Sequence, residues 1–169
     1  LFCGIGGFRL AMEDNNVICV FSSDNDKFAQ ETYQANFGET PDGDIKKIEA
    51  KDIPSFDILS AGFPCQPFSY AGLCKGFEDQ TRGTLFFDVC RILSYHKPKM
   101  FFLENVKGLV SHNGGKTMST ILENLNELGY DVHWKVLSSL DFGLPQKRER
   151  WYCVGFDKKV DFDFPRPIQ

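Results

Sequence analysis

Short apolar runs alternate with longer amphipathic stretches along this chain, and that alternation limits its fold more than any other feature. Val17 to Ser22, Phe56 to Ala61, Lys99 to Glu104 and Trp151 to Phe156 read as buried strands, rich in Val, Ile and Phe. Between them, Phe8 to Asn15, Asp26 to Phe37, Thr84 to Ser94 and Lys116 to Leu128 carry helical patterns. In the last of these, Ile121, Leu122, Leu125 and Leu128 recur at helical spacing before Gly129, a C-terminal stop. Tyr130 to Leu140 alternates as a further strand, antiparallel to its neighbours. The rhythm predicts an α/β fold, doubly wound, with a mostly parallel sheet covered on both faces.

The 169 residues suffice for one domain that buries roughly 70% of its unfolded surface. A composition of 42% hydrophobic and 25% charged residues excludes a disordered, collagen-like or coiled-coil chain; 17 Phe are the only marked excess. No apolar run reaches the roughly 18 residues of a membrane span, and no signal peptide is visible. Net charge is −4 and the pI is near 5.4. That balance argues against a general polyanion binder, so any nucleic-acid contact must come from a local patch or from sequence beyond this chain. The first residue is Leu1, inside what reads as a motif, so the chain is expected to start mid-domain. Six cysteines (Cys3, Cys19, Cys65, Cys74, Cys90 and Cys153) form no C-x-x-C pair. No zinc site is read from them, and the expectation is reduced thiols, mostly core filler, in a cytosolic protein.

Two segments break the rhythm. Gly62 to Gly83 is long and carries little periodicity, as functional loops in compact domains often do. Asp161 to Gln169 holds Pro165 and Pro167 and reads as a linker, leaving residues 1–160 as the domain.

The opening Leu1-Phe2-Cys3-Gly4-Ile5-Gly6-Gly7-Phe8 runs from apolar residues through three glycines into a helix. Glycines there let the backbone turn tightly and bring a ligand close to a helix N-terminus. The spacing is G-x-G-G rather than G-x-G-x-x-G, so a pyrophosphate cradle is not directly supported. Asp24 follows the next strand, 17 positions beyond Gly7, where such folds grip ribose hydroxyls. A helix cap for the following helix is the plainer role, and both can hold. Asp44, in Gly43-Asp44-Ile45, is either a further ligand acid or a turn residue.

The strand Phe56 to Ala61 runs into Gly62-Phe63-Pro64-Cys65-Gln66-Pro67-Phe68-Ser69. Ligands of open α/β sheets bind outside the carboxyl ends of strands, and Cys65 falls there between two prolines. A thiol so fixed is a nucleophile candidate, with packing as the alternative. Met100-Phe101-Phe102-Leu103 ends in Glu104-Asn105-Val106. A carboxyl group directly after four apolar residues is poorly solvated unless paired, and is a candidate proton donor; a solvated loop acid is the alternative. In Gln146-Lys147-Arg148-Glu149-Arg150, alternate residues of an extended segment share a side, so Arg148 and Arg150 point together. Two forked guanidiniums suit a phosphate, a carboxylate or a base edge.

Phe2 to Phe8, Gly62 to Ser69, Glu104-Asn105-Val106 and Gln146 to Arg150, taken in this order over essentially the whole chain, resemble the DNA (cytosine-5)-methyltransferases. The resemblance implies a class I S-adenosylmethionine-dependent methyltransferase (Rossmann-like) domain that methylates carbon 5 of a flipped-out cytosine in double-stranded DNA. It implies Cys65, Glu104, Arg148 and Arg150 as catalytic residues. It places S-adenosylmethionine, and the product S-adenosylhomocysteine, against Phe2, Gly4, Ile5, Gly6, Gly7, Asp24, Asn25, Asp44, Ile45, Phe63, Pro64 and Leu85. Gln66, Ser69 and Arg82, in a loop resembling the family's mobile one, become DNA contacts. No metal and no membrane are implied. A paired restriction endonuclease is expected as a functional rather than physical partner, and the location is cytoplasmic, on the nucleoid in a prokaryote. Three departures stand out: no acid precedes the first motif, Asn25 replaces an aromatic that commonly stacks on adenine, and the family continues past Gln169 into a target-recognition domain and a final helix. Two other readings stay open, an inert cofactor-binding fragment and tRNA cytosine-5 methylation. A nicotinamide dehydrogenase is disfavoured by the glycine spacing and the cysteine loop.

Overall fold

A computed structural model describes residues 1–64 and 85–168 of the chain. Cys65, Gln66, Ser69, Arg82 and the loop expectation for Gly62 to Gly83 therefore lie largely outside the described residues. Helix α1 spans Gly7–Glu13 and α2 spans Lys27–Phe37. Strand β1 is Ile58–Ala61, α3 is Leu85–His96 and β2 is Met100–Val106. Helix α4 (Lys116–Glu127), strand β3 (Asp131–Ser138) and strand β4 (Glu149–Phe156) complete the chain.

The strands form one sheet in the order β1-β2-β4-β3. Strand β1 pairs parallel with β2, bringing Ala61 opposite Leu103. Strand β4 is antiparallel to both β2 and β3, which bears out the antiparallel reading of Tyr130 to Leu140. One parallel and two antiparallel pairings make the described sheet less parallel than expected. The reason is Val17 to Ser22, which joins no strand ladder. Its vicinity is tied by a single bridge, Ser23 to Asp42, and by the Cys3 amide donating to the Ser23 carbonyl at 3.0 Å. A cavity of about 470 Å³ separates this segment from β1, lined among others by Val17, Val20, Leu59 and Ile92.

Strand alternation divides β2 between two faces. Phe101 and Leu103 point into a core shared with Val89 and Leu93 of α3 and Ile121 and Leu125 of α4, all fully buried. Phe102 points to the opposite face, where Phe8 of α1 meets it edge-on with ring centroids 5.4 Å apart. Helices thus cover both faces, as a doubly wound sheet requires. A tight contact lies at Gly155, opposite Phe101 in the β2–β4 register. A Cβ there would come within 2.1 Å of the Phe101 ring, so only glycine fits.

Among the described residues, no helix is long and apolar enough to cross a membrane. Cys90 and Cys153 are fully buried, as the core-filler reading expects. No group of three or more His, Cys, Asp or Glu suited to a metal occurs among the described residues.

Candidate active site

The register of the sheet builds the site. Parallel pairing aligns the carboxyl ends of β1 and β2, so Gly62 and Glu104, each one step past the Ala61–Leu103 pair, lie side by side. An ideal Cβ on Gly62 would sit 3.4 Å from Glu104 Oε2, 3.6 Å from the Phe8 ring and 3.9 Å from the Phe2 carbonyl oxygen. The glycine turn, the start of α1, the β1 exit and the Glu104 carboxylate therefore meet at one point. Because β4 is antiparallel to β2, its N-terminal end reaches the same edge, with Arg150 opposite Val106.

Glu104 is paired there rather than bare. Arg150 Nε donates to Glu104 Oε1 at 2.8 Å, and Arg148 Nη2 lies 3.9 Å from the same oxygen. The Glu104 and Arg150 side chains are about one-fifth exposed, whereas Arg148 is half exposed. Both arginines share a side as expected, and Glu149 between them turns away to pair with Lys107 at 2.7 Å. Ser139, which sequence reasoning passed over, holds the approach to this run. Its hydroxyl donates to the Gln146 carbonyl and accepts from the Arg148 amide at 3.2 Å. Tyr152, directly opposite Glu104, completes the wall. Burial first, then the neighbouring Glu104 charge, raises its phenol above the ordinary value.

At the glycine turn, Phe2, Gly4 and Gly6 have φ of 53°, 54° and 97°. A positive φ at Phe2, a residue with a Cβ, is strain of the sort that clusters at ligand sites. Asp24 does not cap α2, correcting one reading; Asp26 does, accepting from the amides of Phe28 and Ala29 at 2.8 and 3.0 Å. Asp24 instead braces the turn. Its Oδ2 accepts from the Gly4 amide at 2.8 Å and its Oδ1 from the Asp26 amide at 2.9 Å. Asp44 caps a short turn at Ile45–Lys47, accepting from the Lys46 amide at 3.1 Å. The side chains of Ile45 and Phe63 are committed to the core, at 3% and 2% exposure, so what each offers a ligand is backbone. Leu85 packs against the core at the start of α3, while Ile5, Asn25 and Pro64 are exposed.

The glycine turn leaves room beside its backbone. A Cβ at Gly4 or Gly7 would meet nothing within 4 Å, which leaves open space against the backbone. Asp24 retains acceptor capacity, since a carboxylate offers about four lone-pair sites. At the Cys3 thiol, burial, then the Asp24 charge, pushes the pKa up to about 11, which disfavours the thiolate.

The family description "C-5 cytosine-specific DNA methylase" matches residues 1–168. The chain belongs to that family. Among its relatives, the Type II methyltransferase M.NgoBI of Neisseria gonorrhoeae is 59% identical over 168 residues, covering 99% of this chain and 53% of the relative. The Type II methyltransferase M.HhaI of Haemophilus parahaemolyticus is 53% identical over 172 residues, covering 100% of this chain and 52% of the relative. Among solved structures, the Dnmt2 methyltransferase of S. pombe superposes with a TM-score of 0.75 at 27% identity, covering 95% of this chain and 51% of that one. The chain thus spans about half the length of the curated relatives it matches, and its Rossmann-like α/β fold is that of the Dnmt2 structure.

Proposed function

We propose that this chain carries the catalytic machinery for moving a methyl group from S-adenosylmethionine to carbon 5 of a flipped-out cytosine in double-stranded DNA. The observation that carries the reading is the Glu104–Arg150–Arg148 cluster, one residue beyond the β1–β2 pairing and beside the glycine turn, in a member of the C-5 cytosine methylase family. S-adenosylmethionine, held by the Phe2 to Gly7 turn, Asp24 and Asp44, supplies a sulfonium methyl group. Cys65, which follows Pro64 in sequence, adds as thiolate to cytosine carbon 6. Glu104 accepts a hydrogen bond from the ring protonated at N3 and so stabilises it, and the electron pair of the 5,6 double bond is free to attack from carbon 5, with S-adenosylhomocysteine as the leaving group. Once carbon 5 has taken the methyl group, a base removes its proton, the double bond re-forms and the Cys65 thiolate leaves. Arg150 orients the Glu104 carboxylate, and Arg148 is free to reach the base or a phosphate. Flipping the cytosine out of the duplex costs a few kcal/mol, which contacts from Gln66, Ser69 and Arg82 help to offset.

DNA is favoured over RNA because relatives above 50% identity carry Type II methyltransferase names, whereas the Dnmt2 likeness is at 27%. Those names also support a restriction endonuclease as functional counterpart. The test uses duplex DNA containing 5-fluorocytosine, which cannot lose its carbon 5 substituent as a proton and so traps the adduct. The expected outcome is a covalent protein–DNA complex for the parent and none for Cys65→Ser, with S-adenosylmethionine binding by calorimetry unchanged. Cofactor binding without any adduct would favour the inert-fragment reading.

A further inference from the structure

Asn105 stands out as a buried amide inside an apolar strand. It is 2% exposed and follows Glu104 on β2, so alternation sends its side chain to the opposite face of the sheet. There its Nδ2 donates to the Phe63 carbonyl at 2.8 Å, while its Oδ1 accepts from the Val106 amide at 2.8 Å. The Phe63 ring is gripped as well, by Phe86 at 5.6 Å and by Trp151 at 6.4 Å between centroids. Trp151 is also the cross-strand partner of Asn105.

The Phe63 carbonyl belongs to the peptide bond that leads into Pro64. Orienting that carbonyl orients the whole Phe63–Pro64 peptide plane, because a peptide unit is rigid. The pyrrolidine ring then restricts φ at Pro64, so ψ of Pro64 is the one soft torsion between the clamp and the Cα of Cys65. We propose that Asn105 is a positioning residue for methyl transfer, registering the start of the Cys65 loop against Glu104 through a single strand. The inference rests on the nucleophile role proposed for Cys65. The residue type follows from the bond pattern. An amide is the short side chain that can donate to one backbone group and accept from another, whereas a carboxylate presents only acceptors to the Phe63 carbonyl.

The test compares Asn105→Asp, of the same shape but without the donor, and Asn105→Ser with the parent in the full protein. Asn124→Ala serves as a control that removes another fully buried asparagine, on α4. Adduct formation on 5-fluorocytosine DNA is followed in single turnovers at a temperature where each variant is folded. The expected result is a rate about 100-fold lower in Asn105→Asp, the size of effect produced by a misplacement of about 1 Å. KM for DNA and the affinity for S-adenosylmethionine should stay within about threefold, and Asn105→Ser should recover part of the rate. The control should trap DNA at the parental rate. Adduct formation at the parental rate in folded Asn105→Asp overturns the inference. So does loss of folding in both Asn105 variants, which makes the clamp a stability element instead. A parent that traps no DNA is a different result, because it removes the nucleophile reading itself.

Discussion

Glu104 has two arginines within 4 Å, and their energetic weights are unequal. Arg150 bonds it at 2.8 Å with both side chains about one-fifth exposed, while Arg148 stands at 3.9 Å and is 55% exposed. A partly buried charge-assisted hydrogen bond contributes about 1.5–3 kcal/mol, whereas an exposed ion pair contributes about 0–1 kcal/mol. Arg150→Ala is therefore expected to lower unfolding free energy by about 1.5–3 kcal/mol, leaving Glu104 short of its principal partner. Arg148→Ala is expected to change it by less than about 0.5 kcal/mol while still impairing methyl transfer. Urea denaturation of the two variants separates them, and equal losses would show that the distance difference does not matter. The pairing of Arg148 with Arg150 was legible from their i, i+2 spacing, and Glu104 from its place after an apolar run. Asn105 was not. The strand expected over Lys99 to Glu104 stops one residue short of Asn105, whereas the strand continues to Val106. A buried amide makes sense only once its two backbone partners are known, and one of these is 42 residues away.

At the scale of elements, local pattern specified most of the secondary structure, and failed where pairing depends on a neighbour. The helices fell within one or two residues of their expected ends because caps and glycine stops are local signals: Asp26 opens α2, and Gly38, at φ of 73°, closes it. Val17 to Ser22 has the composition of a strand, yet a strand exists only by its ladder, and both edges of this segment lack one. Asp44 showed the opposite ambiguity, since a turn cap and a ligand acid share one sequence signature; its bond to the Lys46 amide establishes the cap. The β2–β4 pairing illustrates what periodicity leaves unsaid. Opposite Gly155 the Phe101 ring fills the space a side chain would need. Because Phe101 is fully buried and edge-on to Tyr130 at 5.0 Å, it has nowhere to retreat. Gly155→Ala is accordingly expected to cost about 1–3 kcal/mol, as overpacking of a tight core does. Phe101→Leu in the same chain should recover part of that loss. Denaturation midpoints of the single and double variants measure the coupling, and strictly additive losses would remove the steric explanation.

For the whole molecule, the titrating groups held in the protein interior define the direction in which pH weakens it. Burial pushes the Tyr130 phenol from its ordinary 10.0 up to about 12, with the Asp157 charge adding to the effect. It raises Cys3 to about 11 from 9.0, and lifts Cys153, Tyr33 and Tyr152 in the same direction. Each of these groups holds its proton more tightly folded than unfolded. Their contribution is complete below the unfolded values near 9.0 for thiols and 10.0 for phenols, and is lost as pH climbs through the folded values. Tyr130 alone, 7% exposed and donating to the Pro98 carbonyl at 2.9 Å, is worth about 1–2 kcal/mol of this after allowing for partial hydration. On the acid side, Glu39, Glu149 and Asp131 have lowered pKa values through partners at the surface, where solvent screens them. The stability profile should therefore fall steeply on the alkaline side, from about pH 9 to 12. Thermal melts across that range test it, with tyrosine ionisation followed in parallel by ultraviolet absorbance. If the melting temperature holds level while the phenols ionise, those groups are hydrated in the native state, and the packing of Tyr130 against Phe101 is looser than the ring geometry requires.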